Sequence, residues 1–211
     1  MFCYNLGGNK PQECAMYKMC KTEQSAKRQR EMEQVLLDML RTRRFEDLTV
    51  TELCEYMKMP RKAFYRYFDC KEDALDALIE HTLGEYTGFI KAPEDPANRR
   101  LQTEIEEYFY FWRDKKQLLD ALTRNGLIGL LIDKSVKFPV QDRVNIDKFQ
   151  PDRDSFTKDI VLQFAFSGLI FVMLDWYRNG FRVPVPDIAS AVCSVLTKPL
   201  FPNLGDLGIK V

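Results

Sequence analysis

The sequence predicts an all-α protein, and three observations carry that expectation. Apolar residues recur at spacings of three and four along most of the chain. Thr- and Asp-led capping patterns precede several of those runs. No convincing alternation of apolar and polar residues competes with them. The chain has 211 residues, 45% hydrophobic and 29% charged, the balance of a folded, water-soluble protein with room for one large or two small domains.

Met32, Val35, Leu36, Met39 and Leu40 recur at helical spacing and give a first amphipathic helix ending near Arg43. Thr49-Val-Thr-Glu52 follows, a capping box in which the Thr49 hydroxyl accepts from the Glu52 amide. It opens a short helix carrying Val50, Leu53, Cys54 and Met57. Pro60 stands where a third helix begins, a position at which its missing N–H loses nothing. Asp69-Cys-Lys-Glu72 repeats the capping pattern and starts a fourth helix with Ala74, Leu75, Leu78 and Ile79 on one face. Short helix, turn of about four residues, short helix is the helix-turn-helix arrangement.

The segment MPRKAFYRYF, Met59 to Phe68, crowds four aromatic rings among three basic side chains. Phe64 and Phe68 are four apart and share the inward face. Arg61, Lys62, Tyr65 and Arg66 then fall on the outer surface, with Tyr67 beside them at the helix end, its hydroxyl within reach of a phosphate. A basic and phenolic patch fixed from behind by two Phe rings is what a recognition helix requires. The formal net charge of the chain is zero. Lys21 to Lys71 nevertheless holds 12 Lys/Arg against 9 Asp/Glu, an excess that permits contact with a polyanion without demanding it. Lys27, Arg28 and Arg30 are equally well read as a grip on flanking DNA or as a solvated helix face. Thr49 and Thr51 are read as phosphate donors; for Thr49 capping is an equal alternative. Lys71 is read as a phosphate anchor.

Lys91 to Pro96 is a break. Leu101, Ile105, Tyr108, Phe109 and Trp112 mark another amphipathic helix, and Leu118, Leu119 and Leu122 a shorter one. Gly126 and Gly129 interrupt an apolar run, and Phe138 to Pro151 reads as a polar loop. A long helix starts near Asp154 and stops at Asn179-Gly180, with glycine in the usual place after a helix. Its apolar stretch, Ile160 to Leu174, contains Gln163, Ser167 and Gly168; it falls short of the roughly 18–20 apolar residues a bilayer span needs, and reads as a buried helix of a soluble protein. Pro186-Asp187 opens a last helix through about Thr197.

Six cysteines form no CxxC pair, and a single histidine, His81, is available to join them. Reduced cytoplasmic thiols, no metal site and no cofactor are the expectation; His81 reads as an ordinary helix residue. MFCYNLGGNK lacks the apolar stretch of a signal peptide. No Gly-rich phosphate loop follows a strand and no acid–base cluster is visible, so an enzyme is not expected.

The segment LTVTELCEYMKMPRKAFYRYFDCKEDAL resembles the amino-terminal signature of TetR-type transcriptional regulators. Thr49, Val50 and Leu53 match Thr-Val-x-x-Ile; Phe64, Tyr65 and Phe68 match apolar-Tyr-x-x-Phe; Lys71, Glu72 and Leu75 match Lys-Glu-x-x-Leu. Trp176, Asn179 and Gly180 match a recurrent Trp-x-x-Asn-Gly ending. The chain departs from the pattern at Lys58 and Lys62, where the family often has Gly, and at Pro60, where it often has Ser. Lys58 in a left-handed turn costs about 1 kcal/mol. The resemblance implies a TetR-like architecture: an amino-terminal extension over residues 1–22, expected to be flexible, a three-helix DNA-binding head over 23–70, and a larger helical effector and dimerisation domain over 71–211. It further implies a homodimer paired through the last two helices, a double-stranded DNA operator, and a small-molecule effector that alters the separation of the heads. Tyr108, Phe109 and Trp112, with Phe164 and Phe166 opposite, are candidate walls of that pocket, against the alternative that an aromatic stripe at helical spacing is plain core. They suit an apolar or aromatic effector. The alternative is the same scaffold with a distal domain that binds a partner protein.

Overall fold

The structure is a computed structural model and describes residues 22–89, 100–137 and 154–198. The extension over 1–21, the Lys91 to Pro96 break and the polar loop from Phe138 to Pro151 lie outside the described residues. Among those described, every regular element is a helix: α1 (Glu23–Leu40), α2 (Val50–Tyr56), α3 (Arg61–Phe64), α4 (Lys71–Phe89), α5 (Leu101–Asp114), α6 (Lys116–Arg124), α7 (Ile128–Lys137), α8 (Ser155–Arg178) and α9 (Val185–Thr197). The chain divides into two compact units. The first takes the described part of Met1–Leu36 together with Leu48–Leu78. The second takes Leu37–Asp47 and the described part of Ile79–Val211. The chain therefore passes between units inside α1, between Asp47 and Leu48, and inside α4.

In the first unit, Thr49 caps α2 with both halves of the capping box in place. Its hydroxyl accepts from Glu52 N–H at 3.2 Å, and the Glu52 carboxylate accepts from Thr49 N–H at 2.9 Å. The turn that follows holds Lys58 at φ 51°, the left-handed geometry expected there. Pro60 is the N-cap of α3 (Arg61–Phe64) rather than its first residue. The second capping pattern is built one residue along from its expected place: Asp69 N–H donates at 2.9 Å to the carboxylate of Asp73, not of Glu72. Met32, Leu36, Leu53, Phe64, Phe68 and Leu75 form the core, each at 2% exposure or less.

In the second unit, α9 packs along α5, α8 touches α5 and α7, and α6 packs on α5 and α7. Gly126, at φ 69°, ends α6. Gly129 lies inside α7 and does not interrupt it, contrary to the break expected from the sequence. The Asn125 amide holds the segment after α1. Its Oδ1 accepts from Phe45 N–H at 2.7 Å, and its Nδ2 donates to Ala121 O at 2.7 Å and Leu40 O at 3.4 Å. Arg124 Nη1 donates to Arg41 O beside it. Asp154 caps α8 by accepting from Thr157 N–H at 2.9 Å.

The helix α8 corrects one expectation. It runs 24 residues, is by length and composition apolar enough to cross a bilayer, and is only 28% buried over its most apolar window. Leu162, Ile170, Met173 and Trp176 face its own unit. Phe156, Ile160, Phe164 and Phe171 occupy the other side, with Phe156 at 65% and Phe164 at 66% exposure. Spacings of four, four and seven keep them on one stripe.

Candidate nucleic-acid interface

Phe64 and Phe68 anchor the recognition segment from beneath, their ring centroids 5.3 Å apart and their exposures 2% and 0%. With these rings fixed, Arg61, Lys62, Tyr65 and Arg66 are turned outward and exposed, and Tyr67 is half-buried against Phe68. The division of inward and outward rings is the one their spacing predicts. Regular α-helix covers only Arg61–Phe64, and Tyr65 to Tyr67 continue as turn.

The outer side chains are not equivalent. Arg61 Nη2 donates to Tyr65 Oη at 3.1 Å. Arg66 and Tyr67 line a groove of about 610 Å³ whose other wall is the first turns of α1, with Ser25, Lys27 and Arg28. Arg28 is paired there with Glu31 at 2.8 Å. Thr22 and Ser25 cap that helix reciprocally, Ser25 N–H to Thr22 Oγ1 and Thr22 N–H to Ser25 Oγ, each at 3.2 Å. Lys27 and Arg28 are residues the sequence offers for flanking DNA, but the cap of α1 at Thr22 and Ser25 is not among the site residues expected from it. Its Thr-x-x-Ser spacing was the signal, obscured because the apolar periodicity starts only at Met32.

The two threonines at the start of α2 differ. Thr49 is engaged by Glu52 on both its hydroxyl and its amide, whereas Thr51 is exposed one residue into the helix. Lys71 is half-buried and donates to Leu48 O at 2.8 Å. Its ammonium thus ties the start of α4 to the residue before the α2 cap. Of the three described cysteines, Cys54 is buried, and burial pushes its thiol and that of Cys70 above the ordinary value. Among the described residues no cluster of His, Cys, Asp and Glu could hold a metal ion.

In the second unit, Tyr108, Phe109 and Trp112 are all buried and stack edge-on, Tyr108 on Phe109 at 5.5 Å and on Trp112 at 6.4 Å. Tyr86, Phe111, Trp176 and Phe181 extend this cluster. Tyr108 Oη and Trp112 Nε1 are buried with no partner in hydrogen-bonding geometry. Burial, helped by the nearby Tyr86 hydroxyl, pushes the Tyr108 phenol well above 10.0, so it stays neutral. Phe164 is set apart on the exposed stripe of α8 and Phe166 is half-buried. The structure brings the first three candidate wall residues together and leaves Phe164 facing outward.

The fold has counterparts among solved structures. The dihydroxyacetone kinase operon activator DhaS matches with a TM-score of 0.55 and 13% identity, over 80% of this chain and 93% of that one. A tetR-family transcriptional regulator from Streptomyces coelicolor matches at 0.56 and 18% identity, over 81% and 79%. The fatty acid degradation regulator FadR from Bacillus halodurans matches at 0.55 and 13% identity, over 86% and 98%. The chain therefore has an all-helical, TetR-like fold. No protein-family model matches the sequence, and no curated protein does so.

Proposed function

We propose that this chain, folded as TetR-family regulators are, is a DNA-binding transcriptional regulator that works in the cytoplasm as a homodimer and not as an enzyme. The observation that carries the reading is the recognition segment: Arg61, Lys62, Tyr65 and Arg66 exposed together on a backbone fixed by two fully buried Phe rings. Cationic groups on a rigid support neutralise phosphates, and side chains at the start of such a helix reach base edges. Thr51 and Tyr67 flank the patch as phosphate donors; Thr49 and Lys71 support the head and add to that electrostatic surface.

The exposed stripe of α8 is assigned to a second copy of the chain, joined by α9, where Val195 and Leu196 are exposed. A bilayer span would be apolar all round, whereas this helix carries Lys158, Asp159 and Asp175 and packs its other side on its own unit. Pairing there places two heads on one duplex, which suits a two-fold symmetric site. Repression is the action proposed, relieved by an apolar or aromatic effector seated against Tyr108, Phe109 and Trp112, with Phe166 at its margin; Phe164, on the exposed stripe, belongs to the pairing surface instead. Such an effector acts only through a difference in affinity between two head arrangements.

A second reading keeps the head and replaces the small effector by a partner protein. It is favoured by the closed packing of the Tyr108 cluster together with the exposed α8 stripe. One experiment tests the regulator reading: duplexes selected from random DNA by the purified full-length protein, followed by mobility-shift titration and sedimentation. The expected result is a dimer in solution, a two-fold selected site, and log affinity falling steeply with log salt. Failure to enrich any sequence, or a folded monomer at micromolar concentration, would sink it.

A further inference from the structure

On the surface assigned to DNA, one pair of side chains has a geometry that bears on the base it would meet. Arg61 and Tyr65 stand one helical turn apart, and both are exposed. Arg61 Nη2 donates to Tyr65 Oη at 3.1 Å, with the guanidinium carbon 5.8 Å from the ring centroid. The Tyr65 ring is itself held edge-on against Phe64, at 5.7 Å and 88°, and Phe64 is buried at 2% exposure. A chain of contacts thus runs from the core outward: Phe64 fixes Tyr65, and Tyr65 fixes Arg61.

The consequence is preorganisation. An exposed arginine explores many rotamers and loses that freedom on binding. Here one of five N–H groups already holds the guanidinium in place before any ligand arrives, and the planar fork keeps its remaining donors. A fork of parallel donors matches a pair of adjacent acceptors. In the major groove, guanine offers such a pair in O6 and N7, whereas adenine sets a donor beside its N7. Arg61 is also the first residue of α3, the end from which recognition helices address base edges. We propose that Arg61 reads a guanine in each half-site of the operator, with Tyr65 as the residue that positions it. This rests on the regulator reading.

The test uses the full chain and the duplex it selects most strongly. Each guanine is replaced in turn by 7-deazaguanine, which lacks the N7 acceptor and keeps Watson–Crick pairing. One symmetric pair of replacements should weaken wild-type binding roughly tenfold or more and leave Arg61→Ala unaffected. Tyr65→Phe, which keeps the ring and removes the hydroxyl, should reduce that discrimination ratio while its affinity for unrelated DNA is maintained. Arg61→Ala discriminating as well as wild type overturns the inference. So does a uniform loss on all duplexes with a smaller salt slope, which makes Arg61 a phosphate contact and leaves the regulator reading standing. An unchanged ratio in Tyr65→Phe overturns the positioning role. Absence of binding to any duplex overturns both readings.

Discussion

Replacing Asn125 by Ala removes the clamp on the segment that follows α1. Three bonds disappear, from Phe45 N–H at 2.7 Å, to Ala121 O at 2.7 Å and to Leu40 O at 3.4 Å. They do not count equally. Ala121 O keeps the bond from Asn125 N–H, and the 3.4 Å contact is long enough to be weak. Phe45 N–H decides the effect, because its side chain is buried at 8% exposure and the amide loses a short bond to a fixed acceptor. A buried donor left without a partner costs about 1–3 kcal/mol, and the weaker losses bring the expected total to about 2–4 kcal/mol. Both tryptophans, Trp112 and Trp176, belong to the second unit, so their fluorescence reports its unfolding in urea. The midpoint should fall with an unchanged slope, and hydrogen exchange at Phe45 should quicken. Gln117→Ala, exposed on the same helix α6, serves as a control and should stay within about 0.5 kcal/mol. An Asn125→Ala midpoint as close to wild type as that control would refute the reasoning.

Two further outcomes follow from the second unit. Tyr108→Phe removes a hydroxyl that has no acceptor and should leave stability unchanged or raise it by up to about 1 kcal/mol; a clear loss in thermal unfolding would mean that the hydroxyl has a partner. Asp120 sits where burial pushes its carboxyl up, but bonds from Lys116, at 2.6 and 2.9 Å, and from the Tyr177 hydroxyl, at 2.8 Å, outweigh it and lower the value below 3.8. A lowered carboxylate contributes stability above its unfolded value and loses it as pH falls through the folded one. Wild type should therefore exceed Asp120→Asn in urea midpoint at neutral pH, with the gap closing below pH 3.8; a gap independent of pH would contradict the assignment.

Local chemistry was the most legible part of the sequence. The Thr49–Glu52 box, the left-handed Lys58 and the inward pair Phe64 and Phe68 each follow from residue types at fixed short spacing, where the competing conformations are few. Elements were misread where one residue supports two outcomes. Gly126 ends a helix because it adopts positive φ, while Gly129, three residues on, sits within one; sequence alone gives both the same weight. At the start of α4, Asp69 N–H bonds to Asp73 because two acidic side chains stand side by side and only backbone geometry chooses between them. For α8, a helix apolar on nearly every side announces two covered faces but not whose atoms cover the second. The aromatic wall was legible as a spacing. Tyr108 and Trp112 do share a face, yet whether a face of rings meets a ligand or other rings depends on helix orientation, which no single spacing encodes.

Under the proposed pairing of two copies, the stripe of Phe156, Ile160, Phe164 and Phe171 has a genetic consequence. A chain that works only when this surface is matched to a copy does not fail alone. A variant with a damaged head and an intact α8 would still pair, and each mixed pair would carry one competent head where a two-fold site asks for two. When both forms are made in equal amounts and pair at random, half the pairs are mixed and a quarter wholly defective. Head lesions should then be dominant in merodiploid cells, while lesions in the stripe itself, which leave the normal chain to find its own kind, should be recessive.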